Sequence, residues 1–219
     1  MATRQLLAEL VALYAQRSGV AVSFESVGGV DAAKRVQAGE AFDVVCLASD
    51  AIDKLIAAGR IDAASKVDLV HSGVAVAVRA GAAQPDISTE SAVREAVLAA
   101  HTISYSTGPS GVALAKLFER WGIADAIAAR IVQAPPGVPV GALVARGEVE
   151  LGFQQLSELI HVDGITLVGP LPPEIQITTT FSAGRAASSD QASAVQSLLA
   201  FMASPESAEA KRRQGMQPA

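Results

Sequence analysis

Apolar residues follow two kinds of pattern along this chain. Residues 2–19 carry Leu6, Leu7, Leu10 and Tyr14 at helical spacing, which predicts an amphipathic helix. Residues 42–48 form a short, almost continuous apolar run, which predicts a strand buried on both faces. The two patterns alternate through most of the sequence. Helices that alternate with apolar strands are typical of an α/β protein whose mixed, mostly parallel sheets are covered by helices.

The same patterns place the individual elements. The predicted helices are 2–19, 31–38, 50–58, 91–100, 110–121, 138–146 and 189–202. The predicted strands are 20–27, 42–48, 68–71, 73–79, 102–106, 131–133, 149–153, 165–168 and 177–187. Gly39 and Gly59 follow predicted helices, where glycine commonly ends a helix. These elements are too many for one five-stranded sheet.

The order of elements therefore predicts two lobes, between which the chain crosses twice, at 73–79 and at 174–187. Lobe I is expected to contain residues 1–74 and 182–219, and lobe II residues 75–181. Ligands in such sheets bind at the carboxyl ends of the strands. We expect the ligand in the cleft between the lobes.

Composition excludes several classes of function. The net charge is −5 and only 4% of residues are aromatic, so a nucleic-acid partner is not expected. No apolar run reaches the roughly 18 residues of a membrane span, so membrane insertion is not expected. Cys46 is alone, and His71, His101 and His161 lack metal-ligand spacing. No nucleotide fingerprint is present, and neither a metal nor a cofactor is expected.

Three turns rich in small residues precede predicted helices, at 26–30, 106–111 and 134–138. The first turn of a helix has unpaired N–H groups and a partial positive charge, which together favour an anion. Ordinary helix capping would use the same residue types. The pattern thus leaves open an anion site or simple capping at each turn.

Two segments resemble one known family, and the similarity extends over essentially the whole chain. They are VGGVDAAKRVQAGEAFDVVCLASDAIDKLIAAGRI (27–61) and GEVELGFQQLSELIHVDGITLVGPLPPEIQ (147–176). Both resemble the molybdate-type periplasmic substrate-binding proteins of ABC transporters. The resemblance implies the type II periplasmic binding protein fold, with two Rossmann-like lobes joined by two crossover segments. It also implies a small anionic ligand, an ABC transporter permease as partner and a monomer.

The ligand residues of molybdate binders are only partly matched. The resemblance places two serines and a tyrosine of those proteins at Ala2, Gly29 and Gln155, so that all three hydroxyls are missing here. Arg4 adds a cation, and a guanidinium pairs with a carboxylate through two hydrogen bonds. We therefore expect an organic carboxylate rather than molybdate.

The expected ligand-binding residues lie at the predicted helix starts and after one strand. They are Thr3, Arg4, Gly28, Gly29, Val30, Ser106, Thr107, Ser110, Gly111, Gly137, Val138, Gln154 and Gln155. Some proteins resembling this family are isomerases that act on aconitate, which gives an alternative function. Such an enzyme needs one positioned base, for which Glu158, Asp31 and Tyr105 are the candidates. Each of these three also has an ordinary structural interpretation.

The amino terminus leads to two expectations about location. The resemblance implies a periplasmic protein, whereas a chain that truly starts at Met1 would be cytoplasmic, because the sequence shows no signal peptide. The family has a strand before the first ligand loop, where Met1 stands here. This suggests a sequence that is truncated at its start.

Overall fold

The computed structural model describes residues 2–134 and 138–219, which divide into two compact units. Unit 1 comprises Met1–Ser72 and Thr179–Ala219, and unit 2 comprises Gly73–Thr178. The boundaries predicted from the sequence lie two and three residues further along the chain.

Unit 1 combines a small sheet with helices from both ends of the chain. In chain order its elements are α1 (Arg4–Ser18), α2 (Gly29–Gln37), β1 (Val44–Ala48), α3 (Ser49–Ala57), the first half of β2 (Val67–Arg79), most of β6 (Thr178–Arg185), α9 (Ala192–Ala203), α10 (Ala208–Arg213) and β7 (Gln217–Pro218). Short 3₁₀ turns occupy Ala63–Ser65 and Pro205–Ser207. Strand β1 pairs antiparallel with β6, and β7 pairs antiparallel with β2.

Unit 2 contains the second half of β2 and the middle of the chain. Its further elements are α4 (Glu90–Ala99), β3 (Ile103–Tyr105), α5 (Pro109–Arg120), α6 (Ala124–Ile127), α7 (Val140–Ala145), β4 (Leu151–Gln155), α8 (Leu156–Leu159) and β5 (Ile165–Pro170), with 3₁₀ turns at Ala128–Arg130 and Pro173–Ile175. Strand β4 pairs antiparallel with β2 and parallel with β3. Strand β5 also pairs antiparallel with β2.

Each unit has its own apolar core. In unit 1 the buried face of α1 packs against α9 and β2 through Leu6, Leu7, Leu10, Tyr14, Leu69, Val70, Leu198, Leu199 and Met202. In unit 2 the residues of β2, β4, α4 and α5 form one cluster that includes Val74, Val76, Val93, Val97, Leu114, Phe118 and Phe153. Because each unit has its own close-packed core, the first turns of its helices are held in fixed positions within that unit.

The α/β class agrees with the sequence, but several elements differ from the prediction. Residues 20–27 are not a strand, because they take part in none of the described strand pairs, although Val22 and Phe24 still pack on the core of unit 1. Residues 131–133 form only an isolated bridge, between Ile103 and Ile131. The two strands predicted at 68–71 and 73–79 are one strand, β2.

The sheets are mixed, as expected, with fewer parallel pairs than expected. Among the described residues, the parallel pairs are β3 with β4 and the Ile103–Ile131 bridge, whereas the pairs of β1 with β6 and of β2 with β4, β5 and β7 are antiparallel. Strand β2 explains the difference. It is long and apolar, and it pairs antiparallel with strands that are distant from it in sequence.

Candidate functional site

Arg4 lies at the start of α1 and lines a pocket on unit 1. The pocket has a volume of about 320 Å³ and is formed by Arg4, Ala8, Val11, Phe24 and Ser26. The Arg4 residue is exposed, and none of the ion pairs among the described residues involves it. A guanidinium beside a serine hydroxyl and an apolar wall can hold a carboxylate with a short carbon body.

Thr3 precedes Arg4, and its side chain turns inward. The residue is 8% exposed, and its hydroxyl forms a hydrogen bond with the Cys46 thiol. Burial raises the pKa of that thiol to about 12, despite the opposite effect of the Thr3 hydrogen bond. The Thr3 hydroxyl is therefore engaged with the core, and Cys46 is a poor nucleophile.

The first predicted glycine turn lies at the start of α2, also in unit 1. Gly28 is the N-cap of α2, and no side chain caps the helix. Val30 is 61% exposed in the first turn. Asp31, one of the three candidate bases, is exposed in the same turn, where its carboxylate complements the partial positive charge of the helix start.

The second turn, residues 106–111, begins α5 in unit 2. The hydroxyl oxygens of Ser106 and Ser110 lie 3.3 Å apart, and Gly108 is the N-cap without a side-chain partner for the helix. A Cβ atom on Gly111 would overlap the carbonyl oxygen of Ser106, so only glycine fits this turn. Thr107 is exposed at its tip. The expected ligand-binding residues Ser106, Thr107, Ser110 and Gly111 thus all belong to one tight turn at the start of α5.

The third turn is only partly described. Gly137 lies outside the described residues. Val138 packs its side chain against a small apolar cluster of α7, which contains Val140 and Val144. The Val138 side chain therefore belongs to the packing of unit 2.

The end of β4 carries the remaining polar residues of unit 2. Gln154 is 5% exposed, and its side-chain Oε1 accepts a hydrogen bond from the Gly141 N–H at 3.2 Å. Gln155 is buried and precedes α8. Burial raises the pKa of Glu158, and a hydrogen bond with the Gln154 side chain partly opposes that increase. A carboxyl with a raised pKa in a partly buried position can exchange a proton.

Packing against Phe118 determines the position of Tyr105. Its ring lies 5.8 Å from that of Phe118 in an edge-on arrangement, and it is partly buried. Burial, together with the charge of Glu119, raises the pKa of Tyr105, which makes its phenolate harder to form. Of the three candidate bases, Glu158 therefore has the environment best suited to proton transfer.

Two residues outside the expected ligand-binding set help to build the Arg4 pocket and the surroundings of Gln154. Ser26 lines the Arg4 pocket, and Gly141 anchors Gln154. A Cβ on Gly141 would lie 3.1 Å from both Leu159 and Val162, so the position needs a small residue. A glycine in the first turn of a predicted helix was the available signal for Gly141, and Ser26 was visible in the first glycine turn.

Within residues 2–134 and 138–219, no group of three or more His, Cys, Asp or Glu side chains is arranged to hold a metal ion. Across the same part of the chain, every helix is too short or too polar to cross a membrane.

Comparison with known proteins relates these features to a family. A family described as "Bacterial extracellular solute-binding protein" matches residues 1–217. The aconitate isomerase of a Pseudomonas species is 41% identical over 185 residues, which cover 84% of this chain and 70% of that protein.

Solved structures show the same fold at lower identity. The periplasmic molybdate-binding protein of Azotobacter vinelandii superposes with a TM-score of 0.80 at 20% identity, covering 98% of this chain and 94% of the other. The ferric binding protein of Campylobacter jejuni gives a TM-score of 0.70 at 13% identity, with coverages of 97% and 83%. The fold is that of a type II periplasmic binding protein, and the chain belongs to the bacterial extracellular solute-binding protein family.

Proposed function

We propose that this solute-binding protein binds a small organic anion with more than one carboxylate, of the size of aconitate. The observation that carries the proposal is Arg4, an exposed arginine at the start of α1 whose guanidinium has no ion pair among the described residues. Its planar fork of N–H donors matches a carboxylate. Ser26 adds a hydroxyl beside it, and Phe24 and Val11 give an apolar wall for the carbon skeleton.

Unit 2 supplies a second group of hydrogen-bond donors. The 106–111 turn combines the Ser106 and Ser110 hydroxyls with the uncapped start of the twelve-residue helix α5. Such a helix start favours a negative charge. This helix start is therefore a candidate position for a carboxylate within unit 2.

The 41% identical relative supports the same class of ligand, because aconitate is a tricarboxylate. The missing hydroxyls at Ala2 and Gly29 count against a molybdate-like oxyanion, which the resemblance would otherwise suggest. As a receptor, the protein would work outside the cytoplasm and deliver its ligand to an ABC transporter permease, as a monomer.

Glu158 and the name of the relative favour a second candidate function, isomerisation of aconitate. In this reaction a base removes a proton from the methylene carbon next to the double bond. The double bond shifts by one position, and the proton is returned to the former vinyl carbon. No electron acceptor or cofactor is needed, because the substrate carboxylates stabilise the intermediate carbanion. Glu158 would serve as the base.

Ligand binding can be tested by thermal unfolding of the whole chain. The additives are cis- and trans-aconitate, citrate, tricarballylate, sulfate and molybdate. A ligand at 100 times its Kd stabilises the folded state by about 2.7 kcal/mol, which raises Tm by roughly 5–10 °C for a chain of this size. We expect such an increase with a tricarboxylate only. An increase with molybdate alone would contradict the proposal.

Catalysis is tested separately by proton NMR of aconitate in deuterated water with the same protein. Isomerisation by Glu158 predicts a new isomer and deuterium at the exchanging carbon, both lost in Glu158→Gln. Binding without any exchange would leave the receptor function and exclude the isomerase.

A further inference from the structure

The stretch between α1 and α2, residues 20–27, supplies part of the wall of the Arg4 pocket. Phe24 and Ser26 are its pocket-lining residues. The stretch takes part in none of the described strand pairs, and Ser26 is exposed. Val22 and Phe24 are only partly buried where they pack on the core of unit 1. Connecting segments with few buried contacts are commonly mobile, so a firm pocket wall needs further contacts.

Glu25, between the two wall residues, is held by Arg35 of α2 through both carboxylate oxygens. The Arg35 Nη1 donates to Oε1 at 2.7 Å, and its Nη2 donates to Oε2 at 2.8 Å. Two parallel hydrogen bonds of this kind fix direction as well as distance. Glu25 thus faces α2 while its two neighbours line the pocket, the alternation that an extended chain produces. The ion pair therefore holds the wall from the side opposite the pocket.

Arg35 is itself held in place by its surroundings. Its Nε donates to the Oε2 atom of Glu40 at 2.7 Å, and its Nη2 also donates to the other oxygen of Glu40. The guanidinium carbon lies 5.2 Å from the centre of the Phe42 ring. Phe42 packs against a buried cluster that joins Val36 of α2 to Ile52 of α3. Arg35 is therefore a firm anchor, because its side chain cannot turn away without losing several contacts.

Stability alone does not explain this arrangement. The Glu25 side chain is 58% exposed, and an ion pair at such a position contributes little to the free energy of unfolding. A segment that is already held in one geometry, by contrast, does not have to be ordered when a ligand binds, so that binding is stronger. The effect of the ion pair is thus expected in the affinity of the pocket rather than in the stability of the fold.

We propose that Glu25 and Arg35 are positioning residues, whose paired hydrogen bonds hold residues 24–26 in place as a preformed wall of the ligand pocket. The inference rests on the carboxylate ligand proposed above for that pocket. Neither Glu25 nor Arg35 is among the residues that line the pocket. Both therefore act on the ligand through the wall residues.

The first test needs no ligand. Backbone order parameters from ¹⁵N relaxation of the whole chain report how firmly residues 24–27 are held. In Glu25→Ala we expect these values to fall from the rigid range, about 0.85, toward the flexible range near about 0.6. The order parameters of α9 should stay native, because a local anchor is lost and the core is not.

The second test is calorimetric titration with tricarballylate, a saturated tricarboxylate that cannot isomerise. Positioning predicts a Kd about 2- to 10-fold higher in both Glu25→Ala and Arg35→Gln, because either change frees the wall. Charge alone predicts opposite changes, since removal of a carboxylate favours an anion and removal of a guanidinium disfavours it. The double variant should bind no more weakly than either single variant, because the two residues act as a unit.

Asp53→Ala is the matched control. The Asp53 side chain is 60% exposed and pairs at 2.6 Å with Lys66, a partly buried cation of the same unit, and neither residue lines the pocket. We expect native order parameters and a native Kd in this variant. Glu25→Asp is a second test variant, which keeps the charge but is one methylene shorter. It should behave like Glu25→Ala.

Native order parameters at residues 24–27 in Glu25→Ala, or a Kd equal to or lower than that of the native protein, overturn the proposal. The ligand-free test separates this result from a failure of the proposed function. If tricarballylate does not bind the native protein while residues 24–27 loosen in Glu25→Ala, the carboxylate ligand is refuted and the anchoring of the wall by Arg35 stands.

Discussion

Gln176 bonds both backbone polar groups of Val74, as a neighbouring strand would. Its Oε1 accepts from the Val74 N–H at 2.9 Å, and its Nε2 donates to the Val74 carbonyl at 3.2 Å. The same nitrogen donates to the Leu171 carbonyl at 3.3 Å. One side chain thereby ties β2 of unit 2 to the segment that follows β5.

Gln176→Leu should therefore destabilise the protein by about 0.5–1.5 kcal/mol for each lost hydrogen bond, because the Val74 N–H keeps the Ile177 carbonyl as a partner and the Val74 carbonyl keeps the Leu171 N–H. Urea unfolding at pH 7 measures the loss. The control is Gln196→Leu, at an exposed position of α9, for which we expect a change within about 0.5 kcal/mol. Equal stabilities of the two variants would show that the side chain of Gln176 adds nothing to the strand.

At Gly111 the absence of a Cβ atom is expected to be essential for stability. Gly111→Ala should destabilise the protein by about 1–3 kcal/mol, because the new Cβ overlaps the Ser106 carbonyl and the 106–111 turn must move. If this turn binds the ligand, affinity should fall as well. Thermal unfolding and calorimetric titration with the best tricarboxylate measure the two effects.

Gly108→Ala is the control for the same turn. Its nearest contact would be the Ser106 hydroxyl at 3.8 Å, and its φ of −77° suits any residue. We expect nearly native stability in this variant. Native stability and affinity in Gly111→Ala would mean that the tight turn is not needed.

Arg4 is expected to act on binding without acting on stability. Arg4→Ala should weaken tricarboxylate binding by about 10- to 100-fold, since a charge-assisted hydrogen bond contributes about 1.5–3 kcal/mol. Arg4→Lys should recover only part of this, because an ammonium cannot form the paired contact. Calorimetric titration gives the Kd values.

Arg17→Ala, on the same helix, serves as the comparison. The Arg17 side chain is 59% exposed and pairs with Glu206, away from the pocket residues. Its removal should leave Kd unchanged. An equally unchanged Kd in Arg4→Ala would remove the main support for a carboxylate ligand.

Much of the fold could be predicted because its signals are local. The helix starts at α2, α3 and α5 lie within two residues of their predicted positions, since glycine, serine and helical periodicity act over single turns. Strand pairing could not be predicted in the same way. The apolar run of β2 does not reveal that β5 and β7 run against it, because register depends on contacts far apart in sequence.

The candidate site, too, could be predicted only where its signals are local in sequence. Sequence patterns indicated Arg4 and the 106–111 turn, since charge and small residues are visible in the chain. They also suggested that Gln154 faces a ligand, but they did not indicate the hydrogen bond that its oxygen accepts from Gly141, thirteen residues earlier. Which end of an amide is free depends on the packing of α7 against β4, and no local pattern contains that information.

Lys211 is a buried cation in α10 and should reduce stability at neutral pH. The residue is 1% exposed, next to Ala210 in the core of unit 1, and it forms no ion pair with a described residue. Burial lowers the pKa of Lys211 in the folded state. Between that lowered pKa and the unfolded value near 10.4, the unfolded chain binds more protons, so stability rises with pH across this window.

Lys211→Met keeps most of the apolar stem and removes the charge. It should stabilise the protein at pH 7 by about 1–3 kcal/mol, the cost of burying an uncompensated polar group, and the gain should shrink as the pH approaches 10. Urea unfolding at pH 7, 8.5 and 10 measures this convergence. Lys116→Met, at an exposed position of α5, should show no such pH dependence. A loss of stability in Lys211→Met at pH 7 would show that the ammonium is well solvated or paired in the native protein, because only a compensated charge can stabilise from such a position.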